Sequence, residues 1–230
     1  MNGVLVGSDA SQEWLLPWFW EHYSSCNDSP VAFADFGMSE EALLWCKSKG
    51  EVVSGFPSLN RTDRNPLWEK RYGQEVWKAR EAWFKKPFAL LASPFEKTVW
   101  IDLDCEVLSP LDALFGYDFA IAKERNEDFL YNSGVIVYKK NLPLIQKWAD
   151  VTKHSSHLYL GDQEILSHLI CQDNPPMHEL PSSYNWRMTD GLNLNAHIIH
   201  FAGAWGKTFI KKHGGLRSLL QTIENENKRG

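Results

Sequence analysis

A chain of 230 residues with a formal net charge of −5, its charges spread along the sequence, carries no basic footprint for nucleic acid. Its 43% hydrophobic and 23% charged content belongs to a globular chain that builds its own core, neither fibrous nor disordered. No apolar run approaches the roughly 18 residues that span a membrane, so no transmembrane segment is expected.

MNGVLVGSDA at the start reads as a strand rather than a signal peptide. Four cysteines (Cys26, Cys46, Cys105 and Cys171) stand far apart, with no CxxC and no zinc-like His/Cys spacing. Free thiols in a reducing compartment fit them best, so a cytoplasmic location is expected, with secretion by another route left open. Asn60-Arg61-Thr62 matches a glycosylation sequon, which has no use without a secretory signal. Eleven tryptophans suit sugar rings and large aromatic cores alike.

In chain order, Val4–Val6 predicts a short buried strand ending in Gly7-Ser8-Asp9, after which Trp14, Leu15, Trp18 and Phe19 fall at helical spacing. Val31–Phe36 predicts the next strand. Ser39 caps a helix with Glu40 and Glu41 in its first turn and Gly50 past its end, and Glu51–Ser54 predicts a third strand. Residues 55–73 are polar, with two Pro and two Gly, and predict a long surface loop. A helix over Gln74–Ala92 then leads into the strand Thr98–Asp102. Strands alternating with helices imply an α/β fold, a mostly parallel sheet covered on both faces.

The second half is less regular. Asp118–Ala122 and Gly134–Tyr138 predict strands, and Leu142–Thr152 and Asp162–Ile170 predict helices. Pro175, Pro176 and Pro181 mark a loop, Ala196–Phe201 a late strand, and Leu216, Leu219, Leu220 and Ile223 a C-terminal amphipathic helix. No repeat and no Gly-, Ser- or Pro-rich linker divides the chain, so one domain over residues 1–230 is expected.

The sharpest chemical feature is VWIDLDCEVLSPL, residues 99–111. In an extended segment, side chains two apart share a face. Asp102 and Asp104 would therefore project together from the C-terminal end of a parallel strand, the edge where open α/β sheets bind ligands. Two adjacent carboxylates repel unless a cation or proton lies between them. Oxygen donors of this kind suit Mg²⁺ or Mn²⁺ held together with a substrate diphosphate. Ser109-Pro110 then predicts the start of a short helix.

Three later segments follow in order. Asn132-Ser133-Gly134 stands just before a predicted strand, and Gly161-Asp162-Gln163-Glu164 stands at a helix start. His200-Phe201-Ala202-Gly203-Ala204-Trp205-Gly206-Lys207 joins a possible metal ligand to a cation. Each alone also reads as a turn, a helix cap or a loop. In this order after a DxD they resemble the GT-A (Rossmann-like) nucleotide-diphospho-sugar transferase fold, and in particular the retaining glycosyltransferase family of glycogenin and bacterial lipopolysaccharide galactosyltransferases.

That resemblance implies an enzyme moving a hexose from a UDP-sugar, with glucose or galactose favoured. The acceptor, a saccharide, lipid or protein, is not given. It implies Mn²⁺, with Mg²⁺ possible, on Asp102, Asp104 and His200, the imidazole nitrogen favouring the softer ion. It implies that Val6, Gly7, Ser8 and Asp9 hold base and ribose, that Leu103 accompanies the aspartates, and that Lys86 contacts donor oxygens. Gly203 and Lys207 would meet the diphosphate, while Asn132, Ser133, Asp162 and Gln163 bind the sugar, with Asp162, Gln163 and Asn132 in the catalytic roles. Lys86 read alone is equally a solvated helix lysine, and Asp162 a helix cap. The family pattern HxxGxxKP is broken here by one extra residue before Lys207 and by Thr208 in place of Pro.

Rival chemistries fit less well. A haloacid-dehalogenase-like phosphatase carries Thr or Val where Glu106 stands. A sugar-1-phosphate nucleotidylyltransferase needs a glycine-rich basic loop that GSDASQEW lacks. A non-catalytic nucleotide-sugar or carbohydrate-binding module stays open. His154, His157, His168 and His178 form no ligand set. Glu124 and Glu127 are loop carboxylates whose placement the sequence does not give. Residues 55–73 and Phe209–Lys228 are the candidate acceptor segments.

Overall fold

The structure, a computed structural model, describes residues 1–59, 66–124 and 130–228, with only the helical backbone for 66–78. The elements are β1 (Asn2–Ser8), α1 (Leu15–Ser24), β2 (Val31–Asp35), α2 (Glu40–Lys49), β3 (Glu51–Val53), α3 (Pro66–Leu91), β4 (Lys97–Ile101), β5 (Cys105–Val107), β6 (Phe119–Lys123) and β7 (Tyr131–Lys139). They continue with α4 (Pro143–Ser155), α5 (Asp162–Asp173), β8 (His178–Leu180), β9 (Trp186–Arg187), β10 (Ile198–His200), α6 (Gly203–His213) and α7 (Leu216–Asn227).

Seven strands form one sheet in the order β3-β2-β1-β4-β7-β6-β8. All run in one direction except β7, which pairs antiparallel with both β4 and β6. Alternation splits each strand between two cores. Val4, Val6, Val99 and Ile101 face one side with Phe19 and Tyr23 of α1. Leu5 and Trp100 face the other with Phe84, Ile145, Trp148 and Ile165 of α3, α4 and α5. Both faces of the sheet are therefore dry, as the near-continuous apolar strands require. Each fully buried Leu, Ile, Val or Phe here contributes about 1.5–3 kcal/mol relative to exposure.

A second sheet, β5-β10-β9, joins the late strand expected over Ala196–Phe201, here β10, to two strands not read from the sequence. Those two, β5 and β9, are three and two residues long, too short to show a period. β5 leaves the main sheet directly after the aspartates and pairs antiparallel with β10, setting Cys105 opposite His200. This pairing brings the late histidine to the DxD.

Several other expectations are corrected. Residues 66–73 are the first turns of α3 and not loop; Asn60-Arg61-Thr62 lies outside the described residues. Ser109-Pro110 starts no helix: a short 3₁₀ turn begins at Asp112 with Leu111 as its cap. The Pro-punctuated loop contains the edge strand β8. β7 begins at Tyr131, so Asn132 and Ser133 belong to the strand and not to a turn before it. The segment from Gly203 is helix α6, not loop. The cap of α2 is as expected, with Ser39 Oγ accepting from the Ala42 N–H at 3.2 Å. All four cysteines are free.

Candidate active site

The aspartates do not alternate along a strand. β4 ends at Ile101, and Asp102–Asp104 forms a tight turn closed by the Cys105 N–H donating to the Asp102 carbonyl at 3.0 Å. The carboxylates converge because the chain turns there towards β10. His200 Nε2 stands 3.4 Å from Asp104 Oδ1 and 4.0 Å from Asp102 Oδ2. An ion with bonds of about 2.1 Å sets neighbouring donors about 3 Å apart, so a small rotation of these side chains would seat one. Asp104, Cys105 and His200 also offer one donor atom each within 4.8 Å of one another. The residues present thus fit a divalent cation.

Lys207, one turn into α6, donates to Asp104 Oδ2 at 2.7 Å. Gly206 precedes it, and a Cβ there would lie 1.9 Å from the Phe201 carbonyl oxygen, so no side chain fits at that position of α6. Thr208 Oγ1 donates back to the Ala204 carbonyl at 3.0 Å within the helix. Gly203 opens α6 with φ +78°, a conformation that favours glycine.

Lys86 is a buried residue of α3 and not a solvated lysine. Its Nζ lies 3.1 Å from Asp102 Oδ1 and 3.0 Å from Asp162 Oδ2, and donates to Ser133 Oγ at 3.1 Å. Burial opposes its charge, but Asp102 and Asp162 outweigh that and hold the ammonium above its ordinary value. Burial pushes the Asp102 carboxyl up, offset only in part by Lys86 and His200. Burial acts on Asp104 as well, yet the contacts with His200 and Lys207 win and hold it well below the usual carboxylate range.

Asp162 is no helix cap: Gly161 holds that position, and the Asp162 carboxylate instead accepts from Ser133 Oγ at 2.9 Å. Trp148 of α4 donates from Nε1 to the Asp162 carbonyl at 3.1 Å and fixes the start of α5. Gln163 Oε1 accepts from the Ser133 N–H at 3.1 Å. Asn132, Ser133, Asp162 and Gln163 therefore come together with Lys86 and the aspartates.

The first strand lies less directly in the cluster. Val6 and Leu103 give their side chains to the core. Ser8 is buried, with Oγ donating to the Asp9 carbonyl at 3.0 Å. Asp9 Oδ1 accepts from the backbone N–H groups of Ser11 and Gln12 at 2.9 and 3.0 Å, closing the turn after β1. A Cβ at Gly7 would lie 2.5 Å from the Phe36 ring, so glycine is what lets that ring cover the strand end.

Three residues of the site were not read from the sequence: Asn185 and Arg187 not at all, and Glu124 only as a loop carboxylate. Glu124 directly follows β6, its side chain 4% exposed, and pairs with Arg187 Nη1 at 2.7 Å. It accepts from Asn132 Nδ2 at 2.7 Å and from Gln163 Nε2 at 3.3 Å. Its place after a strand parallel to β4 was the available signal, since such strands end at the same sheet edge. Glu127 lies outside the described residues.

These elements and this edge define a GT-A glycosyltransferase fold, and comparison with solved structures shows the same fold. Glycosyltransferase GlyE of Streptococcus pneumoniae TIGR4 superposes with a TM-score of 0.61 at 15% identity, over 87% of this chain and 54% of that one. The galactosyltransferase LgtC, in complex with donor and acceptor sugar analogs, gives 0.59 at 14% identity over 94% and 96% of the two chains. Mouse xyloside xylosyltransferase 1 gives 0.50 at 15% identity over 87% and 97%. The chain spans about half the length of the GlyE chains it matches. No family model matches the sequence, and no curated protein matches it. Among the described residues, no helix is long and apolar enough to cross a membrane.

Proposed function

We propose that this chain is a metal-dependent glycosyltransferase, a single GT-A domain over residues 1–230, that moves a hexose from a UDP-sugar with retention at the anomeric carbon. The observation that carries the reading is one continuous cluster at the sheet edge. Asp104 and Asp102 face His200, and Lys86 joins Asp102 to the Asp162 and Ser133 pair.

Asp102, Asp104 and His200 would hold the cation, the imidazole favouring Mn²⁺ over Mg²⁺. Bound there, it supplies Lewis-acid stabilisation of the diphosphate charge. Lys207 and the N–H groups opening α6 at Gly203 would contact the same diphosphate. Gly7, Ser8 and Asp9 would border base and ribose, Val6 contributing only backbone. Asn132, Ser133 and Gln163 would bind the sugar hydroxyls, and the Asp162 carboxylate would stabilise the positive charge that develops on the sugar. A retaining reaction in which the leaving diphosphate takes the acceptor proton needs no separate general base. A cytoplasmic location and a saccharide, lipid or protein acceptor complete the reading.

A panel of nucleotide sugars, scored by release of nucleoside diphosphate with Mn²⁺ present, tests the donor. UDP-glucose or UDP-galactose should turn over fastest. Binding without any hydrolysis or transfer would favour a nucleotide-sugar-binding module. Proton NMR of the first-formed product should show an α linkage from an α-linked donor, and a β linkage would overturn retention alone.

A further inference from the structure

We propose that Asn185 orients His200, holding a hydrogen on Nδ1 so that Nε2 is the nitrogen left to ligate a cation held between Asp104 and Asp102. The Nδ1 hydrogen follows from geometry alone; its use in metal binding rests on the function proposed above.

The argument starts from two groups whose hydrogen-bond polarity is fixed. The Glu124 carboxylate can only accept, and a backbone N–H can only donate. Asn132 lies between them: its Nδ2 donates to Glu124 Oε2 at 2.7 Å, and its Oδ1 accepts from the Gly134 N–H at 2.8 Å. The orientation of the Asn132 amide is thereby fixed at both ends. The same Oδ1 meets Asn185 at 2.8 Å, so Asn185 must present its NH₂ there. That turns Asn185 Oδ1 towards His200 Nδ1, 3.0 Å away. A carbonyl oxygen accepts only, so Nδ1 carries a hydrogen. Nε2 faces another acceptor, the Asp104 carboxylate, at 3.4 Å; a cation bound there would take the place of any hydrogen on Nε2 and leave that nitrogen as its donor atom.

The relay is buried: Asn132, Asn185 and His200 are each 6% exposed, so water does not readily replace these contacts. Steric packing holds the ring in the same pose. A Cβ on Gly134 would lie 2.4 Å from His200 Cε1, so the imidazole rests on bare β7 backbone. Asn185 is thus a positioning residue, acting on the cation through His200.

Two-bond ¹H–¹⁵N correlation spectra of the histidine rings in the metal-free protein, with His200→Gln to assign the signals, read the tautomer directly. In the wild-type ring Nδ1 should carry a hydrogen, whether or not Nε2, which faces Asp104, carries one as well. Asn185→Leu removes the acceptor and should move the proton to Nε2, the nitrogen an isolated imidazole prefers. Mn²⁺ affinity should then weaken about 10- to 100-fold. Asn185→Asp keeps an acceptor and should keep the Nδ1 proton. A wild-type ring with no hydrogen on Nδ1, or an Asn185→Leu ring that keeps its last proton on Nδ1, would overturn the proposal. If His200→Ala retains wild-type Mn²⁺ affinity, the metal reading fails while the tautomer assignment stands or falls on the spectra.

Discussion

Lys86 and Asp162 form a buried ion pair, Nζ to Oδ2 3.0 Å, with side chains only 7% and 8% exposed. The lysine reaches from α3 to the first residue of α5 and touches Asp102 on the way. Removing one partner of a buried pair strands the other charge. Lys86→Met should therefore cost about 3–5 kcal/mol in urea unfolding. Lys86→Met with Asp162→Asn should recover part of that, because one stranded carboxylate is gone. An unchanged midpoint in the single variant would show that the pair is dispensable.

Binding of UDP should depend on a divalent cation through Asp102 and Asp104. In isothermal titration, Mn²⁺ should strengthen UDP binding to the wild-type chain and do much less for Asp104→Asn. Equal affinity in EDTA would remove the metal from the account. His200→Ala should weaken Mn²⁺ more than Mg²⁺, because it deletes the nitrogen donor.

Gly134→Ala should damage the site while leaving most of the fold in place. The added Cβ falls 2.4 Å from His200 Cε1 and 2.9 Å from Asn132 Oδ1, so the imidazole must leave its seat. Overpacking of this kind costs about 1–3 kcal/mol. Mn²⁺ affinity should fall with it, and Mn²⁺ affinity equal to wild type would mean that His200 does not need that seat.

His22 provides a pH signature away from the cleft. Its Nε2 lies 3.3 Å from Glu106 Oε1, both side chains are buried, and its Nδ1 meets the Trp18 carbonyl at 2.7 Å. Burial and the Arg217 charge lower its pKa, but the contacts with Glu106 and Trp18 win and raise it above 6.5. A raised folded-state pKa stabilises fully below the unfolded value and is lost as pH climbs through the folded one. Stability should therefore decline on passing from below about pH 6.5 into the alkaline range. Much of that slope should vanish in His22→Gln. An identical slope in the variant would place the proton elsewhere.

The alternating strands and helices were legible because apolar runs such as Val4–Val6 and Val99–Ile101 mark a sheet buried on both faces. DxD, NSG, GDQ and the late histidine were legible because each joins chemistry-bearing residues in one short stretch. What escaped is non-local. Glu124 finds Arg187 63 residues later, and Asn185 joins Asn132 across 53. No short motif encodes such a pairing, and strands as short as β5 and β9 leave no periodicity. The start of α3 did leave a signal, Pro66 at its first position, hidden in a polar stretch that reads as loop. The turn at Asp102–Asp104 mimics the same-face alternation of a strand, so the two carboxylates were placed together for the wrong geometric reason.

The pairing of β6 with β7 jumps from Ile121 opposite Ile136 to Ala122 opposite Asn132, leaving Ser133, Gly134 and Val135 without partners in β6. In a regular ladder, consecutive side chains point to opposite faces, yet Asn132 and Ser133 both serve this cleft. The irregularity is therefore a length constraint on the gene as much as a shape in the protein. A deletion of the Val135 codon alone would redraw the register and carry Asn132 away from Glu124 and Asn185, although every residue with chemical character had been kept. Related sequences that preserve the donor site should tolerate exchange of Val135 for another apolar residue far more readily than a gap at any of the three positions.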